Sequence, residues 1–294
     1  MAATEPSSKA GPLVILAGGG DFPLIAAEQA MAQGREVMIA GVEGEASREI
    51  EDFPHAWLKR GQLGELFRLM RTFGAQDILL LGTFADRRMP TWREVDFTGV
   101  VEVVRHWSML RDGDDSVLRK IARIIERRGF RIVSPADVAP GLLARSGLLG
   151  RYRPTDEDLA DVLVGYRAAK ALGRSDLGQA VVASGGAVIG REDARGTDAL
   201  LEDVARARRG QGVRGAAGVL VKCMKPQQDA RLDLPAIGPA TIRNAAAAGL
   251  AGVAVEAGRT LIVDQDILAE VADRLGLFVL GFALPDEAER APGG

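Results

Sequence analysis

Short apolar runs that stop at glycine turns recur along this chain of 294 residues, and they restrict it to a narrow group of folds. The first run, Leu13 to Ala17, is five residues long and partly β-branched. That length and composition suit a buried strand. It leads into Gly18-Gly19-Gly20 and then Asp21-Phe22-Pro23. Asp is a good helix N-cap and Pro suits the first helical turn. A helix is therefore expected to about Gln33, with Gly34 just past its end. Further strands are expected from Glu36 to Ala40, Asp77 to Leu81 and Phe130 to Val133, with helices from Gln62 to Phe73 and Ser116 to Arg128. Strands alternating with helices imply a parallel sheet covered on both faces.

Pro135 to Pro154, rich in Pro and Gly, interrupts this rhythm and reads as a linker, although Leu142, Leu143, Leu148 and Leu149 are apolar enough to pack. Thr155-Asp156-Glu157-Asp158 then signals a helix start, acidic in its first turn. Strands are expected at 180–183 and 187–189 around Ser184-Gly185-Gly186, then at 218–221, 252–256, 260–263 and 277–280, with helices at 198–208, 239–248 and 264–275. The expected organisation is a first α/β domain over 1–134, a linker over 135–154, and a second α/β domain over 155–294 that carries the main catalytic loop.

Composition narrows the chemistry. The single cysteine, Cys223, excludes an intramolecular disulfide, and with two histidines, His55 and His106, a zinc site is not expected. Any metal would be held by oxygen ligands, which points to Mg²⁺, with Mn²⁺ as the alternative. A net charge of −3 and 5% aromatic residues argue against nucleic acid as a partner. No apolar run approaches the ~20 residues of a membrane-spanning helix. A cytoplasmic protein is the expectation.

Five segments have the make-up of a site. Gly18, Gly19 and Gly20, with Asp21 and Phe22, lie between a strand and a helix, where backbone can approach a ligand and the helix N-terminus favours phosphate. Pro23 stands where a dinucleotide fingerprint needs its third glycine, and no Walker lysine follows. Gly82-Thr83-Phe84-Ala85-Asp86 is expected on the same sheet edge. Asp112, Asp114 and Asp115 surround Gly113 and read as metal ligands or as a turn and cap. Glu192-Asp193-Ala194-Arg195-Gly196-Thr197-Asp198 offers carboxylates, a hydroxyl and a helix start together.

The fifth segment is the richest: Lys222-Cys223-Met224-Lys225-Pro226-Gln227-Gln228-Asp229-Ala230-Arg231-Leu232-Asp233-Leu234-Pro235. Lysine occurs only at 9, 59, 120, 170, 222 and 225, while arginine supplies the other 31 basic residues. Two of six lysines thus fall within four residues. Lysine is a compact point charge suited to a phosphate oxygen. Asp229 and Asp233 add carboxylates for a divalent metal, with Gln228 and Arg231 beside them. Cations and carboxylates together suit the attack of water on a phosphoryl group, which rests on positioning and charge neutralisation. Cys223 lies beside this loop, but such chemistry needs no thiol.

The glycine loop, the Glu-x-x-x-Gly-Thr-Asp run at 192–198 and Lys-x-x-Lys-Pro-x-Gln-Asp-x-Arg-x-Asp-Leu-Pro at 222–235 occur in one order that resembles the LpxI family of UDP-2,3-diacylglucosamine pyrophosphatases. The resemblance spans Leu13 to Phe282. It implies two Rossmann-like α/β domains with mainly parallel sheets, joined by a linker and holding the ligand in the cleft between them. It implies hydrolysis of the lipid-linked nucleotide sugar UDP-2,3-diacylglucosamine to UMP and 2,3-diacylglucosamine 1-phosphate (lipid X), within lipid A synthesis in Gram-negative bacteria. It also implies dependence on Mg²⁺ and attack of water on the sugar-side phosphorus. An acylated substrate implies transient contact with the inner membrane, and a homo-oligomer is an open expectation.

Resemblance and chemistry together give the expected roles. Asp229 is the essential acid, binding metal or orienting water, with Asp233 as a further catalytic carboxylate. Gln228, Lys222 and Lys225 contact the diphosphate or its metal. Glu192 and Asp198 share the metal with Asp229. Gly196, Thr197, Asp198 and Arg231 bind substrate, as do the glycine loop, Gly82 and Thr83. The N-terminal loops are expected to take uridine diphosphate, and residues near Leu142 and Leu148 to shelter acyl chains. Two other readings remain: a transferase acting on a nucleotide sugar, which needs an acceptor, and a sensing module, which binds without turnover. A nicotinamide dehydrogenase is disfavoured by the imperfect glycine fingerprint.

Overall fold

The computed structural model describes residues 11–84, 117–210, 212 and 215–283. The acidic turn with Asp112, Asp114 and Asp115 lies outside them, as do Ala85, Asp86 and His106. The chain forms two compact units, one of residues 1–141 with 231–233, the other of 142–230 with 234–294.

In the first unit the elements are β1 (Leu13–Ala17), α1 (Phe22–Ala32), β2 (Val37–Val42), β3 (His55–Leu58), α2 (Leu63–Phe73), β4 (Asp77–Leu81), α3 (Val117–Arg127), β5 (Arg131–Ile132) and α4 (Pro135–Val138). All five strands are parallel, in the order β3-β2-β1-β4-β5. β1 and β4 match the expected spans, and α1 stops one residue before Gln33. β3 was not expected. It is four residues long with exposed His55 at its start, so its sequence carries little apolar signal.

Strand alternation divides the core of this unit. Val14 and Leu16 of β1 join Phe67 and Met70 of α2 and Ile125 of α3 in one cluster. α1 packs against β1 and β2 and buries Ala26, Ala27 and Ala30. Chain order runs outward from β1 to β3 on one side and from β4 to β5 on the other. The switch point therefore falls between β1 and β4, where ligands settle in open α/β sheets.

The second unit contains β6 (Gly147–Leu148), α5 (Asp156–Arg174), β7 (Ala180–Ser184), β8 (Ala187–Arg191), α6 (Gly196–Gly210), β9 (Val219–Lys222), β10 (Ala236–Ile237), α7 (Pro239–Ala247), β11 (Gly252–Glu256), β12 (Leu261–Ile262), α8 (Gln265–Leu275) and β13 (Phe278–Phe282). Its main sheet has the order β6-β13-β11-β9-β7-β8. β13, β11 and β9 are parallel, while β6, β7 and β8 are antiparallel to their neighbours. The tight Ser184-Gly185-Gly186 connection has room only for an antiparallel hairpin. α6, α7 and α8 cover one face through Leu201, Ile242 and Leu268. α5 covers the other through Val162, Tyr166 and Ala169. Thr155 and Asp158 form the capping box that starts α5.

At the start of 135–154, Asp137 forms with Ser134 the capping box that starts α4, and further on Leu148 of β6 pairs with Leu280 of β13. Leu142 is fully buried, which leaves it no surface to offer an acyl chain. Among the described residues no helix is long and apolar enough to cross a membrane.

Candidate functional site

The glycine loop leaves the carboxyl end of β1, and Gly82-Thr83 leaves the carboxyl end of β4 beside it. The two are stitched together: Gly19 N–H donates to Thr83 O and Thr83 N–H to Gly19 O, each at 2.8 Å. Glycine is demanded by this approach, since a Cβ on Gly18 would lie 2.7 Å from Thr83 O. Gly82, at φ +106°, would set a Cβ 2.8 Å from Gly18 carbon. Gly20 differs: its φ is +86°, but a side chain there would meet nothing within 4 Å. Asp21 takes the N-cap position of α1 in helical rather than extended backbone, and its side chain makes no capping hydrogen bond. The first amides of α1 thus open next to an exposed glycine at the switch point, an arrangement that favours an anion.

In the second unit, the carboxyl ends of β8, β9 and β11 share one sheet edge. Glu192 follows β8, Lys222 ends β9 and Glu256 ends β11. Glu192, expected as a metal ligand, accepts the amides of Gln179 at 2.6 Å and Ala180 at 3.1 Å through Oε2. Its Oε1 accepts the Thr197 hydroxyl at 2.6 Å. Lys222 Nζ donates to Thr197 Oγ1 at 3.1 Å and to Ala236 O at 3.0 Å. Thr197 is therefore a relay between a buried carboxylate and a buried ammonium, rather than a helix cap. Gly196 and Thr197 begin α6, so these groups lie at a helix N-terminus.

The loop after β9 folds into a turn. Gln228 N–H donates to Lys225 O at 3.0 Å, and Gln228 Oε1 accepts from Lys225 N–H at 2.8 Å. Its base is fixed to the end of α5: Lys225 Nζ pairs with Asp176 at 2.7 Å, and Gln227 Nε2 donates to Gly173 O at 2.6 Å. Asp229 follows directly and is half-buried. Arg231, Leu232 and Asp233 fall in the first unit. There Arg231 pairs with Glu126 at 2.7 Å, Leu232 packs against the α2–α3 cluster, and Asp233 is exposed.

Asp198 is exposed, and its Oδ1 accepts from Asn244 at 2.9 Å. Asp193 is held on the surface by Arg195, whose guanidinium keeps that carboxyl below the usual range. Among the described residues no group of three or more His, Cys, Asp or Glu is placed to hold a metal ion. Glu192, Asp198 and Asp229 thus do not form a ready cage. Mg²⁺ commonly rests on one or two carboxylates plus substrate phosphates and needs no all-protein cage.

Cys223 is buried, and burial first, with Glu256 second, pushes its thiol far above the usual range. It stays neutral and is no nucleophile. The feature absent from the sequence reading is Lys170, buried on α5 and bonded to Glu256 at the same edge. Lys170 Nζ also donates to the backbone oxygen of Met224, between Lys222 and Lys225 in the chain, at 3.0 Å.

With this geometry in view, the chain matches the LpxI N-terminal domain over residues 12–142 and the LpxI C-terminal domain over residues 145–280. The chain belongs to the LpxI family. A UDP-2,3-diacylglucosamine pyrophosphatase LpxI of Caulobacter vibrioides is 36% identical over 280 residues, covering 92% of this chain and 96% of that protein. The two LpxI domains match the two α/β units in order.

Proposed function

We propose that this chain hydrolyses the diphosphate of UDP-2,3-diacylglucosamine, releasing UMP and 2,3-diacylglucosamine 1-phosphate, as a step of lipid A synthesis. What carries the reading is the end of β9 and the turn after it, which together bring two lysines and Asp229 within eight residues. Its support from kinship is a relative named for this activity that aligns with 92% of the chain.

The chemistry follows from charge. A diphosphate resists attack by water because its oxygens are negative. Lys222, held by Thr197 and Ala236, and Lys225, tethered to Asp176, bring fixed positive charge to that centre. Such preorganised groups need little rearrangement as charge shifts during reaction. Asp229 orients the attacking water. The water oxygen bonds to phosphorus and its proton is released to solvent, while the bridging phosphorus–oxygen bond breaks and the displaced phosphate leaves with the electron pair on its half of the substrate. Gln228 fixes the turn that carries Asp229 through its bond to Lys225 N–H. Asp229 would hold Mg²⁺ or Mn²⁺ together with the diphosphate, and the bound ion neutralises phosphoryl charge. In the first unit, the glycine loop and the amides of α1 suit an anion. An acylated substrate would bring the chain into transient contact with the inner membrane.

The test is incubation of the full chain with UDP-2,3-diacylglucosamine, with Mg²⁺ and with EDTA. UMP and lipid X in equal amounts, only with Mg²⁺, is the expected result. Binding without products from folded protein would leave the sensing reading instead.

A further inference from the structure

The buried pair Lys170–Glu256 is attached to the backbone of one residue, Met224, which lies between the two lysines of the loop. Glu256 Oε2 accepts Met224 N–H at 3.1 Å, and Lys170 Nζ donates to Met224 O at 3.0 Å. The pair itself is closed by bonds of 3.1 Å and 3.0 Å from Lys170 Nζ to the two Glu256 oxygens. Both side chains are at least nine-tenths buried. Lys170 comes from α5 and Glu256 from the last position of β11, so two separate elements clasp one peptide of the loop.

The location gives the clasp its meaning. β9 ends at Lys222, and Cys223 N–H makes the next backbone bond, to Gln179 O at 3.0 Å. At Met224 the chain has left the sheet, and the ion pair takes up both of its backbone polar groups. Burying two charges is costly, and apolar residues of like size often serve stability equally well. Apolar residues here would leave a buried N–H and C=O without these partners. We propose that Lys170 and Glu256 are positioning residues, which set the direction in which the loop leaves β9 and so the placement of Lys222, Lys225 and Asp229 on the diphosphate. The inference rests on the hydrolase reading above, and it gives the pair no contact with substrate.

The experiment compares the wild-type chain with Glu256→Gln and with the double variant Lys170→Met/Glu256→Leu. Gln keeps an acceptor for Met224 N–H, whereas the double variant removes the clasp without stranding a buried charge, since Arg259, which also bonds Glu256 at 3.3 Å, has its guanidinium open to solvent. Circular dichroism and thermal melting establish which variants fold. For the folded double variant, kcat falls about 10- to 100-fold with KM nearly unchanged, as expected for displaced catalytic groups. Glu256→Gln restores most of kcat. Wild-type kcat in the folded double variant would overturn the proposal, as would a Glu256→Gln loss as deep as the double. If the double variant does not fold, Lys170→Met, which leaves Glu256 paired with Arg259, takes its place in the comparison.

A readout free of activity separates this inference from the function it rests on. Amide hydrogen exchange at Met224 is slow in the wild type and fast once the acceptor is removed, whatever substrate the chain uses. Rapid exchange at Met224 in the folded wild type contradicts the clasp even if hydrolysis is confirmed. Slow exchange without hydrolysis would leave the clasp standing and remove the assigned reaction.

Discussion

Lys222 reaches the hydroxyl of Thr197, twenty-five residues earlier in the chain, at 3.1 Å. The same hydroxyl donates to Glu192 at 2.6 Å, so one threonine joins a cation to a carboxylate at the carboxyl edge of the second sheet. Thr197→Val keeps the shape and deletes both bonds. It is expected to cost about 1–3 kcal/mol, the range for stranding a buried polar partner. Thermal unfolding should fall by several degrees, and kcat should fall with it because Lys222 loses its anchor. Thr197→Ser should stay close to wild type in both measurements. A valine variant equal to wild type would remove the relay from the account.

The glycines of the first unit are predicted to separate into two kinds. Gly18→Ala drives a Cβ into Thr83 O and should break the paired bonds to Gly19, costing about 1–3 kcal/mol. Gly20→Ala meets no atom and carries only left-handed strain, about 1–2 kcal/mol. Urea unfolding ranks the two. If Gly20→Ala raises KM well beyond its effect on stability, the loop contacts substrate. An unchanged KM would restrict Gly20 to the turn.

Much of this was legible in the sequence, and the exceptions have physical causes. Leu13–Ala17, Asp77–Leu81 and Gly252–Glu256 are buried along their full length, and apolar but for Asp77 and Glu256 at their ends, because both sheet faces are covered, and their bounds are readable to the residue. β3 and β10 escaped because short strands with exposed or mixed residues carry little periodicity. Lys222 and Thr197 were each singled out, yet the bond between them is a product of sheet order and had no local signal. Lys170 was passed over for the same reason: on α5 it reads as one more helix cation, and only the fold brings it to Glu256.

Asp77 predicts an acid limb of stability in the first unit. Burial pushes its carboxyl up, but bonds from Arg131 and Arg35 outweigh that and hold it below the usual range. A carboxyl lowered in the folded state stabilises above its unfolded value and loses that contribution as pH falls through the folded one. Urea midpoints measured from about pH 5 down to pH 2.5 should therefore drop more steeply for wild type than for Asp77→Asn. Parallel slopes would show that the pair contributes nothing to acid sensitivity.

Cys223 should be silent in catalysis. Its thiol is buried and held protonated, so a thiol reagent added to folded protein at mildly alkaline pH should react slowly, and fully only after denaturation. Cys223→Ala is expected to keep kcat within about twofold while costing on the order of 1 kcal/mol for the lost packing. Rapid labelling that abolishes activity would overturn this.

The central claim is that the turn after β9 hydrolyses a diphosphate with Asp229 as its essential acid. The most direct measurement is UMP release from UDP-2,3-diacylglucosamine by wild type and Asp229→Ala in Mg²⁺ and in EDTA, with both proteins shown to be folded. The account predicts steady release by wild type in Mg²⁺, none in EDTA, and a loss of about a hundredfold or more in the variant. Release by Asp229→Ala at the wild-type rate, or none from folded wild type in Mg²⁺, would contradict it.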